Sequence, residues 1–484
     1  MRDRRLQGVV SSLHDFAEKE LAMTGAHQNG PSVIERLASY ACAESFAALP
    51  EATVRAARRA ILDTLGVMLA GSRESTAERA RRLIEHRRAG DEATIVGTPL
   101  RASIEDAALA NGVAAHALDY DDVQASLSGH PSVPVLPPAL ALVERARMAG
   151  ADLLTAFVIG VEIEAKIGRA LNPAHYEVGW HATSTLGVFG AAAAAGKLLG
   201  LSHERMAQAL AIAASMSSGI KANFGTDGKP WHVGHAARCG LEAAQLAAVG
   251  FTGNPRALEH GDGFGSTHGA GMKADWELTV AGLGAPHELA EPGIGVKRFP
   301  ACASTHQALD ATLALIEKHA IRAENVAAVE CGVSYMAPHQ LIYDRAETGL
   351  QGKFSMQYCV SVALLDRTVG LAQFADERVR RPDVQALMPK VRMFVHPEQT
   401  TRESLANKFT DVTLTLTDGT KLQRRVDQAK GQPRNPLTDG ELEVKFRDAA
   451  GRALASDRVD ALLTTVTTLE KVPDVSAIAR LLSA

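Results

Sequence analysis

The sequence predicts a mainly α fold with an inserted α+β domain. Three features point there. The first is size: 484 residues exceed what one hydrophobic core organises, so two domains are expected. The second is composition. Hydrophobic residues make up 46% of the chain but aromatics only 5%, and alanine is abundant. That mix favours close-packed helices over β-sandwiches. The third is a change of character near residue 293, where alanine-rich periodic segments give way to stretches rich in β-branched residues.

Residues 1–32 read as an N-terminal extension ending at "HQNGP". Residues 33–292 read as the first part of an all-helical core domain. "SIEDAALANGVAAHAL" opens on Ser103 with Asp106 three residues on, close to a capping box. "LSHERMAQALAIAASM" has Ser202 in N-cap position. "KPWHVGHAARCGLEAAQLAAVG" puts Pro230 at the first helical position and Gly250 at the stop. Residues 293–429 read as the smaller α+β domain. "VAAVECGVSY", "KVRMFVHP" and "DVTLTLTDGTKLQRRV" are strand-like, and Asp418-Gly419 marks a hairpin. Ahead of them "STHQALDATLALIEKHA" is an amphipathic helix starting at Ser304 or Thr305. Residues 430–484 return to the helical pattern and complete the core domain.

Charge and cysteine usage exclude several classes. A net charge of −4 from 51 basic and 55 acidic residues leaves no basic footprint for nucleic acid. The five cysteines (Cys42, Cys239, Cys302, Cys331 and Cys359) are odd in number, widely spaced and without C-x-x-C. They fit a reducing, cytoplasmic setting and argue against a disulfide framework or a cysteine-held iron–sulfur cluster. The N-terminus lacks the apolar run of a secretory signal. "TLGVFGAAAAAGKLLGL" is interrupted by Lys197, so no membrane span is expected.

The chemistry concentrates in a few stretches. "NGVAAHALDYDDVQASLSGHPSVP", residues 111–134, holds His116, Asp119, Asp121, Asp122 and His130. It could be a metal site, an acid/base site or a solvated polar loop. His232 and His235 are also one helical turn apart. Yet H-E-x-x-H, a cysteine pair and an acidic calcium loop are all missing, so no metal is expected. In "FGTDGKPWHVGH", Lys229 falls at a helix start. Unpaired N–H groups and the helix dipole favour an anion there. A solvated loop lysine is the plain alternative. His181 opens a small-residue helix and is either a cap or a catalyst. Lys297 and Arg298 precede Pro300 in what reads as a domain linker, and Tyr343 is a packing residue by default.

Together these stretches resemble the MmgE/PrpD family. The matches are "NGVAAHALDYDD", "HPSVPVLPPALAL", "GWHATSTLGVFGAAAAAGKLLGL", "GTDGKPWHVGHAARCGLEAAQLAAVGFTG", "KRFPACASTHQALDA" and "TGLQGKFSMQYCVSVALLD". They come in family order and span nearly the whole chain from about residue 33. The family includes 2-methylcitrate dehydratases, cis-aconitate decarboxylases and an iminodisuccinate epimerase. The resemblance implies a helical domain with an α+β lid, a homodimer, and catalysis without metal or organic cofactor. It implies Asp119, His130, His181, Lys229, Lys297 and Tyr343 as active-site positions; His130, His181, Asp119 and Tyr343 are the expected catalytic residues, and Lys229 and Lys297, with the nearby Arg298 and His232, the expected binders of a small polycarboxylate. His130 is the expected titrating group, with Asp119 orienting it or supporting a neighbouring cation. Position 123 is Val where the decarboxylase branch has threonine, and position 302 is Cys where that branch has histidine. The leading expectation is therefore a 2-methylcitrate dehydratase-like lyase. A cis-aconitate decarboxylase-like or iminodisuccinate epimerase-like enzyme is the alternative. A non-catalytic carboxylate-binding or scaffold protein is an alternative of another class.

Overall fold

The computed structural model describes residues 30–87, 90–269, 271 and 274–484. The expected extension thus falls almost wholly outside the described residues. Ser32 caps the first helix, α1 (Val33–Ala43), in a full capping box with Glu35. Helices α2 (Glu51–Gly71) and α3 (Ser75–Arg87) follow, then a short antiparallel pair, β1 (Ala93–Thr94) and β2 (Arg101–Ala102). Next come α4 (Ile104–His116), α5 (Ser132–Ala146), α6 (Gly150–Leu171), α7 (Gly187–Leu198), α8 (His203–Met216) and α9 (Gly228–Ala248). Ser103 and Ser202 cap α4 and α8 as their spacing predicts. Pro230 is the third residue of α9, not the first. The helix already includes Gly228 and Lys229, with Asp227 in the cap position. Gly250 follows the helix end in a left-handed conformation, φ 105°.

The α+β unit begins with a 3-10 turn, Ala303–Thr305, so its helix α10 (His306–His319) starts just beyond the two positions expected. Strand β3 (Val326–Val333), helix α11 (Met356–Asp366) and strands β4 (Val391–Val395), β5 (Thr410–Leu416) and β6 (Lys421–Val426) complete it. The sheet order is β4-β3-β5-β6. β3 and β4 are parallel and joined through α11; the other pairs are antiparallel. The Asp418-Gly419 turn joins β5 to β6, and Gly419 takes a φ of 88°. The chain then returns to the helical core through α12 (Asp439–Ala450), α13 (Ser456–Thr467) and α14 (Ser476–Leu482). Phe446 of α12 packs over Gly66 of α2.

Small residues let the central helices meet backbone to backbone. A Cβ at Gly112 of α4 would sit 2.7 Å from the Gly234 Cα of α9. That contact matters for the site, because α4 leads into the acidic loop and α9 carries Lys229. Gly112→Ala should force the two helices apart. We expect a loss of about 1–3 kcal/mol, typical of overpacking, together with reduced turnover. Thermal unfolding and steady-state kinetics of the variant check both; unchanged values for both would contradict the close-contact reading.

Candidate active site

After α4 ends at His116, the chain loops back through residues 117–131 before entering α5. Asp119 holds a φ of 51° in this loop. A non-glycine residue there is strained by about 1–2 kcal/mol, so its surroundings must enforce it. They do so with cations. The Lys229 ammonium reaches Asp119 Oδ1. The Lys297 ammonium donates to Asp119 Oδ2 at 2.9 Å and to the Asp119 carbonyl at 2.6 Å. All three side chains are buried. Burial would raise the Asp119 pKa, but the two ammoniums override it and hold the carboxyl well below its usual range.

His130 lies beside this group. Its Nδ1 donates to the Asp122 carbonyl at 2.8 Å and lies 3.1 Å from Asp121 Oδ2. That contact fixes the tautomer and leaves Nε2 as the open nitrogen, 3.9 Å from Asp119 Oδ1. His130 is therefore oriented by the Asp122 carbonyl and Asp121, while Asp119 serves the cations. Asp121 also accepts from His116 Nδ1 at 2.7 Å. Burial pushes His116 down to about 3, so it is a neutral donor. Further in, His181 shares a 3.2 Å contact with His232 through their Nδ1 atoms, and its buried Nε2 has no partner. Burial, with His116 and Lys229 close by, keeps His181 neutral, well below its usual pKa.

These groups meet at a cavity of about 560 Å³. Asp119, His130, His181, Lys229, Lys297 and Cys302 line it. The wall comes from both the helical core and the α+β unit. Tyr176 of the core and Gln340 of the α+β unit face it, as does Arg402, which pairs with Glu177 of the core. Phe224 and Phe354 flank the Lys229 ammonium at 5.2 and 5.0 Å from their ring centres.

The structure brings six of the eight expected residues into one cluster: Asp119, His130, His181, Lys229, Lys297 and, behind His181, His232. Arg298 turns outward to Asp310 at 2.8 Å, with nearly half its side chain exposed. Tyr343 does not line the cavity. Its ring lies against Gly225, whose φ of 81° and missing side chain leave room for it at the approach to α9. Residues that sequence reasoning left without a role also appear. His116 and Asp121 orient His130, and two further buried lysines, Lys353 and Lys445, hold neighbouring carbonyls. Lys445 lies on the buried stripe of α12 beside Leu442, Phe446 and Ala449.

Among the described residues, His116, Asp121 and His130 could hold a cation, since their ligand atoms lie within 4.8 Å of one another. Their Nδ1 atoms already converge on one Asp121 oxygen, so hydrogen bonding accounts for the grouping.

Two family models match most of the chain. The MmgE/PrpD N-terminal domain matches residues 35–277 and the MmgE/PrpD C-terminal domain residues 299–471. The chain is similar to the cis-aconitate decarboxylase of Mus musculus, 32% identical over 445 residues covering 90% of each protein. It is equally similar to that of Homo sapiens, 32% over 446 residues, covering 90% of this chain and 91% of the relative. The cis-aconitate decarboxylase of Aspergillus terreus (strain NIH 2624 / FGSC A1156) is 26% identical over 457 residues, covering 90% of this chain and 92% of the relative.

Two outcomes follow from the loop. Burial pushes Asp122 up to about 8, where its neutral form meets the Ser132 hydroxyl. The folded chain thus keeps this proton up to about pH 8, the unfolded chain only to about pH 4. The linked stabilisation is full below about pH 4 and lost as pH rises to about 8. Asp122→Asn removes that dependence. Its melting temperature should gain on the parent's between about pH 5 and about pH 8; a constant difference would contradict a protonated Asp122. Dialysis against EDTA should leave turnover unchanged. A loss restored by one divalent ion would make His116, Asp121 and His130 ligands instead.

Proposed function

The chain belongs to the MmgE/PrpD family and is a lyase-type enzyme, and on that premise we propose that its substrate is a small tricarboxylic acid of the cis-aconitate class. The observation that carries this is the pair of buried ammoniums, Lys229 and Lys297, sharing Asp119 beside the open Nε2 of His130. Two cations against one carboxylate leave one positive charge at the cavity floor. A substrate carboxylate completes the balance. The same charges stabilise a carbanion α to a carboxylate, and each well-placed donor contributes about 3–4 kcal/mol to such a step.

In decarboxylation the C–CO2 bond breaks and its electron pair spreads over the adjacent double bond. One proton is then delivered to carbon. His130 Nε2 is the group placed to carry that proton. His181, held neutral, offers its unpartnered Nε2 as a hydrogen-bonding or proton-accepting group. The curated relatives support decarboxylation as the first reading. Cys302 in the cavity wall favours a second, dehydration of a 2-methylcitrate-like acid, because the decarboxylase branch has histidine there. The steps share a carbanion and differ in what leaves: carbon dioxide or water. Tyr343 and Arg298 would contribute only after movement toward the cavity. A homodimer belongs to the same proposal. Trp231, Val249 and Phe251, on and just after α9, keep apolar surface exposed at 37%, 77% and 60%.

His130→Ala should lower turnover of the accepted acid by about 10²–10⁴-fold with little change in KM. Lys229→Ala should weaken binding as well as turnover, since a charged anchor acts in ground and transition states alike. Steady-state kinetics with cis-aconitate and 2-methylcitrate, with products followed by NMR, checks both and separates the two readings. Near-normal turnover in His130→Ala would remove His130 from the proton step.

A further inference from the structure

The loop that carries Asp119 is pinned through its main chain, one carbonyl at a time. The Leu118 carbonyl accepts from the Lys353 ammonium at 2.5 Å. The Asp119 carbonyl accepts from Lys297 at 2.6 Å. The Tyr120 carbonyl accepts from Lys445 at 2.9 Å. Three consecutive carbonyls thus each meet a buried ammonium, and the three lysines come from distant parts of the chain. Lys353 follows a short helix, Gly349–Gly352, in the α+β unit. Lys445 lies on α12, in the returning C-terminal part, and pairs with the fully buried Asp63 of α2 at 2.7 Å.

Lys353 and Lys445 do not line the cavity. They are 4% and 6% exposed, so water does not solvate their charge. Burying an ammonium is unfavourable unless it is paired or hydrogen-bonded, and here the partners are backbone oxygens of the acidic loop. The Leu118 carbonyl belongs to the peptide plane that precedes Asp119, the Asp119 carbonyl held by Lys297 to the plane that follows it, and the Tyr120 carbonyl held by Lys445 to the next plane along. Lys353 and Lys297 thus fix the two planes that set the left-handed backbone at Asp119, and Lys445 holds the segment just beyond, so that together they set the direction of the carboxylate. The Lys445 ammonium also stands 4.0 Å over the Tyr120 ring, a second hold on the same segment.

We propose that Lys353 and Lys445 are positioning residues: they set the Asp119 carboxylate between Lys229 and Lys297 by clamping the Leu118 and Tyr120 carbonyls. The clamp ties the site to the packing of the α+β unit and of α12 on the helical core. This inference rests on the role given above to Asp119, so the test treats the two separately.

The test is a double-mutant cycle on the full chain with cis-aconitate, pairing Lys353→Met with Asp119→Asn. Lys353→Met alone should lower kcat by about 10²-fold, the usual cost of displacing a catalytic group by about an ångström, with KM little changed. In the Asp119→Asn background the same change should cost almost nothing, because its target is gone. A purely structural lysine would give equal losses in both backgrounds, and that additivity would overturn the proposal. Lys445→Met, made with Asp63→Asn to avoid an orphaned buried charge, should behave like Lys353→Met. If Asp119→Asn alone keeps full turnover, the functional reading of Asp119 falls. A crystal structure then decides the clamp without reference to activity. In Lys353→Met, or in Lys353→Gln should the first not fold, Asp119 should leave its positive φ. An unchanged backbone there would overturn the clamp.

Discussion

One buried carboxylate organises this site. Asp119 is 3% exposed and receives two ammoniums that are themselves buried. Without it, Lys229 and Lys297 would be like charges in a water-poor pocket, and each would be strongly disfavoured. With it, the trio keeps one uncompensated positive charge facing the cavity. That remainder is what a polyanionic substrate can meet. The arrangement is costly by itself, and it makes chemical sense when a second anion arrives. Asp119 also stands in a strained backbone conformation, so its direction is set by the loop around it and not by its own preference.

The histidines divide by environment. His116 and His181 are sealed in and stay neutral. His130 sits at the cavity wall with one nitrogen committed to the Asp122 carbonyl and the other open. A single loop therefore supplies an anchor for cations, a buried orienting carboxylate in Asp121, a neutral acid in Asp122 and the histidine that faces the cavity. Four polar residues within 12 positions take four roles because burial and partners differ at each.

Much of this was legible in the chain, and the failures have physical causes. The helical core, the strands of the α+β unit and the Asp418-Gly419 hairpin follow from local periodicity and turn chemistry, which act over a few residues. Lys229 was readable as an anion-facing lysine because a helix start marks such a position, though its partner Asp119 lies 110 residues away. Arg298 was grouped with Lys297 by adjacency alone, and the structure parts them: one side chain goes inward to Asp119, the other outward to Asp310. Lys353 and Lys445 were out of reach because they act on backbone oxygens 235 and 325 residues distant, and every residue type offers the same carbonyl. Of the two roles expected for Asp119, orienting His130 or supporting a neighbouring cation, the structure has the second, and the carbonyl of Asp122 takes the first.

A lysine-stabilised carbanion protonated by a histidine leaves an isotopic record. Turnover of cis-aconitate in deuterium oxide, followed by proton and carbon NMR, reads it directly. One deuterium on the carbon that gains the proton, with release of carbon dioxide, is the expected result; in a dehydration, the same signal would appear as exchange at the carbon next to the departing hydroxyl of 2-methylcitrate. Saturable binding of both acids with neither product nor deuterium uptake would mean that the cluster around Asp119 holds a carboxylate and performs no proton chemistry.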